Sequence, residues 1–125
     1  MRQDWEPEDL VGAWTLVEHD WRLVANKTGA TRLGFAVLLK FFEQEGRFPT
    51  SADEVPRQAV HYVGAQVRVD PSRFGDYQWS GRTVEYHRAQ IRAELGFRVA
   101  TRDDEAKLTR WLAEEVAPRR YPTSV

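Results

Sequence analysis

"LGFAVLLKFF", residues 33–42, decides the fold class, because apolar side chains surround this helix on every side and Lys40 is its one charge. A run of ten is about half of what a membrane span requires, so the segment reads as the central helix of a bundle. Thr31 stands where a cap could precede it, and Gly46 is placed to stop it.

Outward from this helix, almost every segment carries a helix start or stop. Pro7, Glu8 and Asp9 suit a first helical turn, and "EDLVGAW" gives a short helix with Leu10, Val11 and Trp14 inward. A second helix, about residues 17–27, sets Val17, Trp21 and Val24 on one face before Gly29 ends it. In the loop "RFPTSADEVP", residues 47–56, Ser51 and Glu54 have the spacing of a capping box, and Pro56 opens a helix of about residues 56–68 with Val60, Val63 and Val67 inward. Asp70 caps and Pro71 begins a short turn through Phe74, which Gly75 ends. Ser80 caps a helix that runs to Leu95, with Gly96 as its stop. Thr101 caps a last helix, with Ala106, Leu108, Trp111, Leu112 and Val116 inward, and Pro118 ends it.

No segment alternates with period two for long enough to build a sheet, and there is no internal repeat. The expectation is an all-α, compact bundle of six or seven helices containing helix-turn-helix-like units. It forms one domain over residues 1–125, with lobes at 5–46 and 51–117 and a flexible tail at 118–125. Five Trp and six Phe supply ample core material, with Trp79 and Trp111 structural, and 42% hydrophobic against 30% charged residues describes a soluble globular chain. Zero Cys excludes disulfides, thiolate metal sites and cysteine nucleophiles. "MRQDWEPEDL" has neither a basic nor an apolar targeting region, which points to the cytoplasm.

The net charge of −1 hides an uneven distribution. Residues 1–30 carry Arg2, Arg22 and Lys27 against six acids, whereas residues 82–102 carry five arginines against Glu85 and Glu94. Fifteen of the eighteen cations are Arg, whose planar fork suits phosphates and base edges.

In the helix of "SGRTVEYHRAQIRAELGF", residues 80–97, a 100° wheel gathers Val84, Ile91 and Leu95 into a buried arc, with His87 and Arg88 at its shoulders. The opposite arc holds Arg82, Tyr86, Ala89, Gln90 and Ala93, with Glu85 and Arg92 beside it. Alanines let the backbone approach a partner closely, and Arg, Gln and Tyr reach base edges or phosphates in a major groove. Ser80, Gly81 and the free N–H groups of the first turn add a phosphate-sized anion site, and Thr83 is a further candidate DNA contact. An Ala-rich face also packs against another helix, so this pattern leaves both DNA and protein contact open. A second candidate is the turn of "NKTGATRLGF", residues 26–35, where Lys27, Thr28, Thr31 and Arg32 surround a Gly-containing connection that could grip a phosphate, although a simple capped turn explains the same residues.

Signals for catalysis are weak. His19, His61 and His87 are far apart, and neither His19 with Asp20 nor His61 with Glu54 has an identifiable third partner. No metal or cofactor motif occurs, so none is expected.

Taken in order, "ANKTGATRLGFAVLLKFFEQEGRFP", "VPRQAVHYVGAQV" and "DYQWSGRTVEYHRAQIRAELGF" resemble the N-terminal region of the Tn-three-family replicative transposases, over about residues 8–117. The resemblance implies a helical, sequence-specific double-stranded-DNA-binding domain for transposon terminal inverted repeats, nucleoid-associated in a bacterial cytoplasm. The family's catalytic carboxylates lie in a later region, so it implies no enzymatic activity for this chain. A full-length transposase, or a second copy of the chain, is a further partner it suggests. In the competing reading the chain is a protein-interaction or regulatory module derived from a transposase.

Overall fold

The computed structural model describes residues 1–111, with side chains described for residues 1–96 and Arg98. Within them the chain is all-α: α1 (Pro7–Trp14), α2 (Glu18–Val24), α3 (Gly29–Glu45), α4 (Arg57–Val67) and α5 (Arg82–Trp111), with 3₁₀ segments at Ala52–Glu54 and Pro71–Asp76. There is no strand among the described residues. Two compact units divide it, Met1–Ala89 and Gln90–Val125.

In the first unit α3 is the hub, packed by α1, α2, α4 and the Pro71–Asp76 segment. Every residue from Leu33 to Phe41 is buried, Lys40 included. Gly46 takes the left-handed conformation at the end of α3 (φ 71°), and its N–H donates to the Phe42 carbonyl, as the Gly stop requires. Val60, Val63 and Val67 of α4 turn inward as their spacing predicts.

Polar residues at helical spacing on α4 tie the N-terminal segments down. Gln58 accepts from the Trp5 N–H at 2.8 Å and donates to its carbonyl at 3.1 Å. Gln66 accepts from the Leu16 N–H at 2.8 Å and donates to the Trp14 carbonyl at 2.9 Å. Between them Tyr62 shares a hydrogen bond with Thr15 at 2.6 Å. Gln58 and Gln66, eight residues apart, therefore satisfy backbone groups of the N-terminal segments, while Tyr62 between them holds the Thr15 side chain.

Several expected boundaries and faces are corrected. Thr28, not Thr31, precedes α3 as its N-cap residue. Glu54 does not complete a capping box with Ser51. Its carboxylate takes the Thr50 N–H and hydroxyl and the Arg47 guanidinium, and the Thr50 bonds come first in holding its pKa down to about 2. Val11, Val17 and Trp21 are 55, 52 and 41% exposed, while Asp20 and Val24 form the buried side of α2. The reason is the buried ion pair between Asp20 and Lys40, which rotates α2 so that its acid faces α3. Asp20 also accepts from the Val17 N–H at 2.9 Å.

Ser80 does not cap α5; the helix starts after Gly81, whose φ of 100° suits glycine and whose carbonyl accepts from the Glu85 N–H at 3.3 Å. Gly96 does not stop α5, and Thr101 lies inside it. One glycine costs a helix interior about 1 kcal/mol, which the good helix formers around it outweigh. The inward positions expected at Ala106, Leu108, Trp111, Leu112 and Val116, the stop at Pro118 and the tail at 118–125 lie outside the residues whose side chains or backbone are described.

Candidate nucleic-acid interface

The first turns of α5 are fixed from beneath by a cluster of rings. Val84 is fully buried and His87 is 2% exposed. His87 and the Phe35 ring of α3 form a T-shaped pair with centres 5.1 Å apart, and His87 Nδ1 is 2.7 Å from the Tyr77 hydroxyl. Burial, reinforced by the Lys27 charge, pushes His87 down to about 4, so the imidazole is neutral and shares one hydrogen bond with the Tyr77 hydroxyl through Nδ1. Burial raises the Tyr77 pKa, with Arg88 opposing it. Trp79 packs edge-on against Phe74 at 5.7 Å and Tyr77 at 5.3 Å, as a structural Trp would. Tyr77 in turn lies so close to α3 that Gly34 leaves no room for a β-carbon.

Above this floor the outer arc of α5 is open. Arg82, Thr83, Glu85, Ala89, Arg92 and Ala93 are exposed and Tyr86 is 64% exposed, whereas Gln90 is half-buried. On the opposite arc Val84 and Ile91 are buried and Leu95 is half-buried, so the division follows the wheel. Ser80 is exposed just before the helix, between half-buried Trp79 and exposed Gly81. Arg88 differs from exposed Arg82 and Arg92: its side chain is 20% exposed, and its Nη1 donates to Glu85 Oε1 at 3.1 Å.

The turn before α3 is built differently from its sequence reading. Lys27 is 8% exposed, its ammonium donates to the Leu23 carbonyl at 2.9 Å and lies 4.1 Å from the Phe35 ring centre, and burial lowers its pKa. Arg32 donates from Nε to the Lys27 carbonyl at 2.7 Å, and Thr31 is half-buried in the first turn of α3. These cations close the connection between α2 and α3. Arg73, which the sequence did not single out, is half exposed beside this turn, because a β-carbon at Gly29 would lie 3.4 Å from its Nη2. The Gly at a positive φ of 55° was the one available signal that something approaches there.

Neither histidine pair assembles. His19 is exposed while Asp20 is buried against Lys40, and Glu54 is engaged by Thr50 and Arg47. Among the described residues no group of three His, Cys, Asp or Glu could hold a metal ion, and no helix is long and apolar enough to cross a membrane.

An all-α module with an open, arginine-bearing helix face is thus the class that fold and surface define. The chain belongs to the family described as Domain of unknown function (DUF4158), whose model matches residues 1–124. It is 30% identical over 108 residues to the transposase for transposon Tn501 of Pseudomonas aeruginosa, covering 86% of this chain and 11% of that one. It is also 30% identical over 95 residues to the transposase for transposon Tn1546 of Enterococcus faecium, covering 73% of this chain and 10% of the other. The chain is transposase-related and spans about a tenth of the length of these relatives.

Proposed function

We propose that the chain is a double-stranded-DNA-binding module of a transposition system, reading transposon terminal inverted repeats through the outer arc of α5 and cutting no strand itself. The observation that carries this reading is that arc: Arg82, Thr83, Tyr86 and Arg92 are exposed around Ala89 and Ala93, which allow close approach. Its relatives are named as transposases for transposons, which agrees with it. Ser80 and the first-turn N–H groups after Gly81 would take a phosphate, and Gln90 would reach a base edge. Lys27 and Arg32 are left as supports of the fold, since their polar groups face carbonyls, and Thr31 is half-buried beside them.

In a binding assay with a terminal-repeat duplex, Arg82→Ala and Arg92→Ala weaken the complex with circular dichroism unchanged. A base contact costs about 1–3 kcal/mol and relaxes specificity at one position, whereas a phosphate contact weakens all sequences alike. Binding by both variants equal to the parent's rules out this face.

A second reading, a protein-interaction module, has one observation in its favour. Val17 and Trp21, one helical turn apart, are exposed on a segment whose surrounding charge is acidic. Apolar residues open to solvent in acidic surroundings fit a protein partner better than a phosphate backbone.

A further inference from the structure

We infer that the Glu85 carboxylate is a specificity element of the α5 face, an acceptor for the exocyclic amino group of a cytosine in the major groove, and that Arg88 is the positioning residue that makes it usable there. This rests on the DNA-binding reading above. Glu85 is 68% exposed, three residues beyond Arg82 on the open arc. An acid there would ordinarily oppose binding, because a bare carboxylate repels the phosphates that the neighbouring arginines attract.

Arg88 changes that balance. Its Nη1 is bonded to Glu85 Oε1, its guanidinium carbon lies 5.9 Å from the centre of the Phe48 ring, and its Nε is buried without a hydrogen-bond partner. A guanidinium sunk against a ring cannot follow its partner through solvent, so the pair is held in one place. The contrast is the pair of Arg22 and Glu18, whose side chains are 71 and 81% exposed and which is an ordinary surface contact. Together Glu85 and Arg88 carry no net charge, and Nη1 occupies one carboxylate oxygen. What remains is an acceptor fixed on a face whose arginines only donate. Cytosine is the base that presents a donor alone in the major groove, while guanine presents only acceptors there and would be rejected.

The test is selection from a library of randomised DNA duplexes with the parent chain, Glu85→Ala, Arg88→Met and the double variant, each checked for helix content. The parent is expected to enrich a motif with a fixed C·G pair, and Glu85→Ala to lose that one preference by about 5- to 150-fold, the equivalent of 1–3 kcal/mol. Arg88→Met keeps an apolar stem over Phe48 but leaves the carboxylate uncompensated. It should weaken binding to every duplex, and adding Glu85→Ala should restore affinity, which a merely structural Arg88 would not allow. An unchanged motif in Glu85→Ala, or a double variant as weak as Arg88→Met, overturns the inference. A parent that enriches no motif overturns instead the DNA-binding reading beneath it.

Discussion

Asp20 has no solvent exposure and its carboxylate meets the Lys40 ammonium, itself 5% exposed. Glu43 also contacts that ammonium, at 3.1 Å. Desolvating two charges costs about as much as their attraction returns, so such a pair fixes geometry more than it adds stability. Here the geometry is the rotation of α2, which puts Val17 and Trp21 outside. Lys40→Met alone should therefore cost about 3–5 kcal/mol in urea unfolding by stranding a buried carboxylate, and adding Asp20→Asn should recover most of it while still accepting the Val17 N–H. A single variant as stable as the parent would show that the pair does not orient α2. In the sequence Lys40 looks like an interruption of an apolar run, and Trp21 looks like core. A wheel ranks side chains by hydropathy and has no means of seeing an acid on a neighbouring helix that needs a buried partner.

The elements themselves are legible where backbone chemistry marks them. Gly46 ends α3 and valine spacing orients α4, because a left-handed terminus and a three-to-four-residue apolar repeat are local properties. α5 is half legible. Its buried and open arcs follow from Val84, Ile91 and Arg82, but Gly96 sits inside the helix, since a glycine ends a helix only where the chain also turns. What the wheel leaves at a shoulder is the anchor of the element: His87, neutral and enclosed by Phe35 and Tyr77. Its depressed pKa has a definite sign. Above pH 6.5 the imidazole is neutral folded and unfolded, and it contributes no pH dependence. Between 6.5 and about 4 the unfolded chain takes up the proton and the folded chain does not, so stability falls as pH is lowered. Urea unfolding at pH 7 and pH 5 should show a loss approaching about 1.4 kcal/mol per unit in the parent that is missing from His87→Gln. The same loss in both would mean that His87 is charged inside the fold.

For the whole molecule, the ordered blocks that resemble transposase N-terminal regions are legible in the amino-acid sequence itself, and the family match over residues 1–124 bears them out. Charge is the less reliable guide. The sequence offers Lys27, Arg32, Arg88 and Arg82 as candidate contacts, yet the first three are wholly or largely withdrawn from solvent and Arg82 is open. A count of formal charges cannot separate an arginine that closes a turn from one that meets a partner, because burial is decided by the packing of other helices. The central claim, that the open arc of α5 binds duplex DNA, is tested most directly by titrating the chain with a terminal-repeat duplex from about 50 to 200 mM salt. Log K should fall linearly with log salt by about 0.9 for each phosphate contacted, and Arg82→Ala should reduce the slope by about one contact if Arg82 meets a phosphate. An affinity that hardly changes over that range, or no affinity at all, would contradict the account.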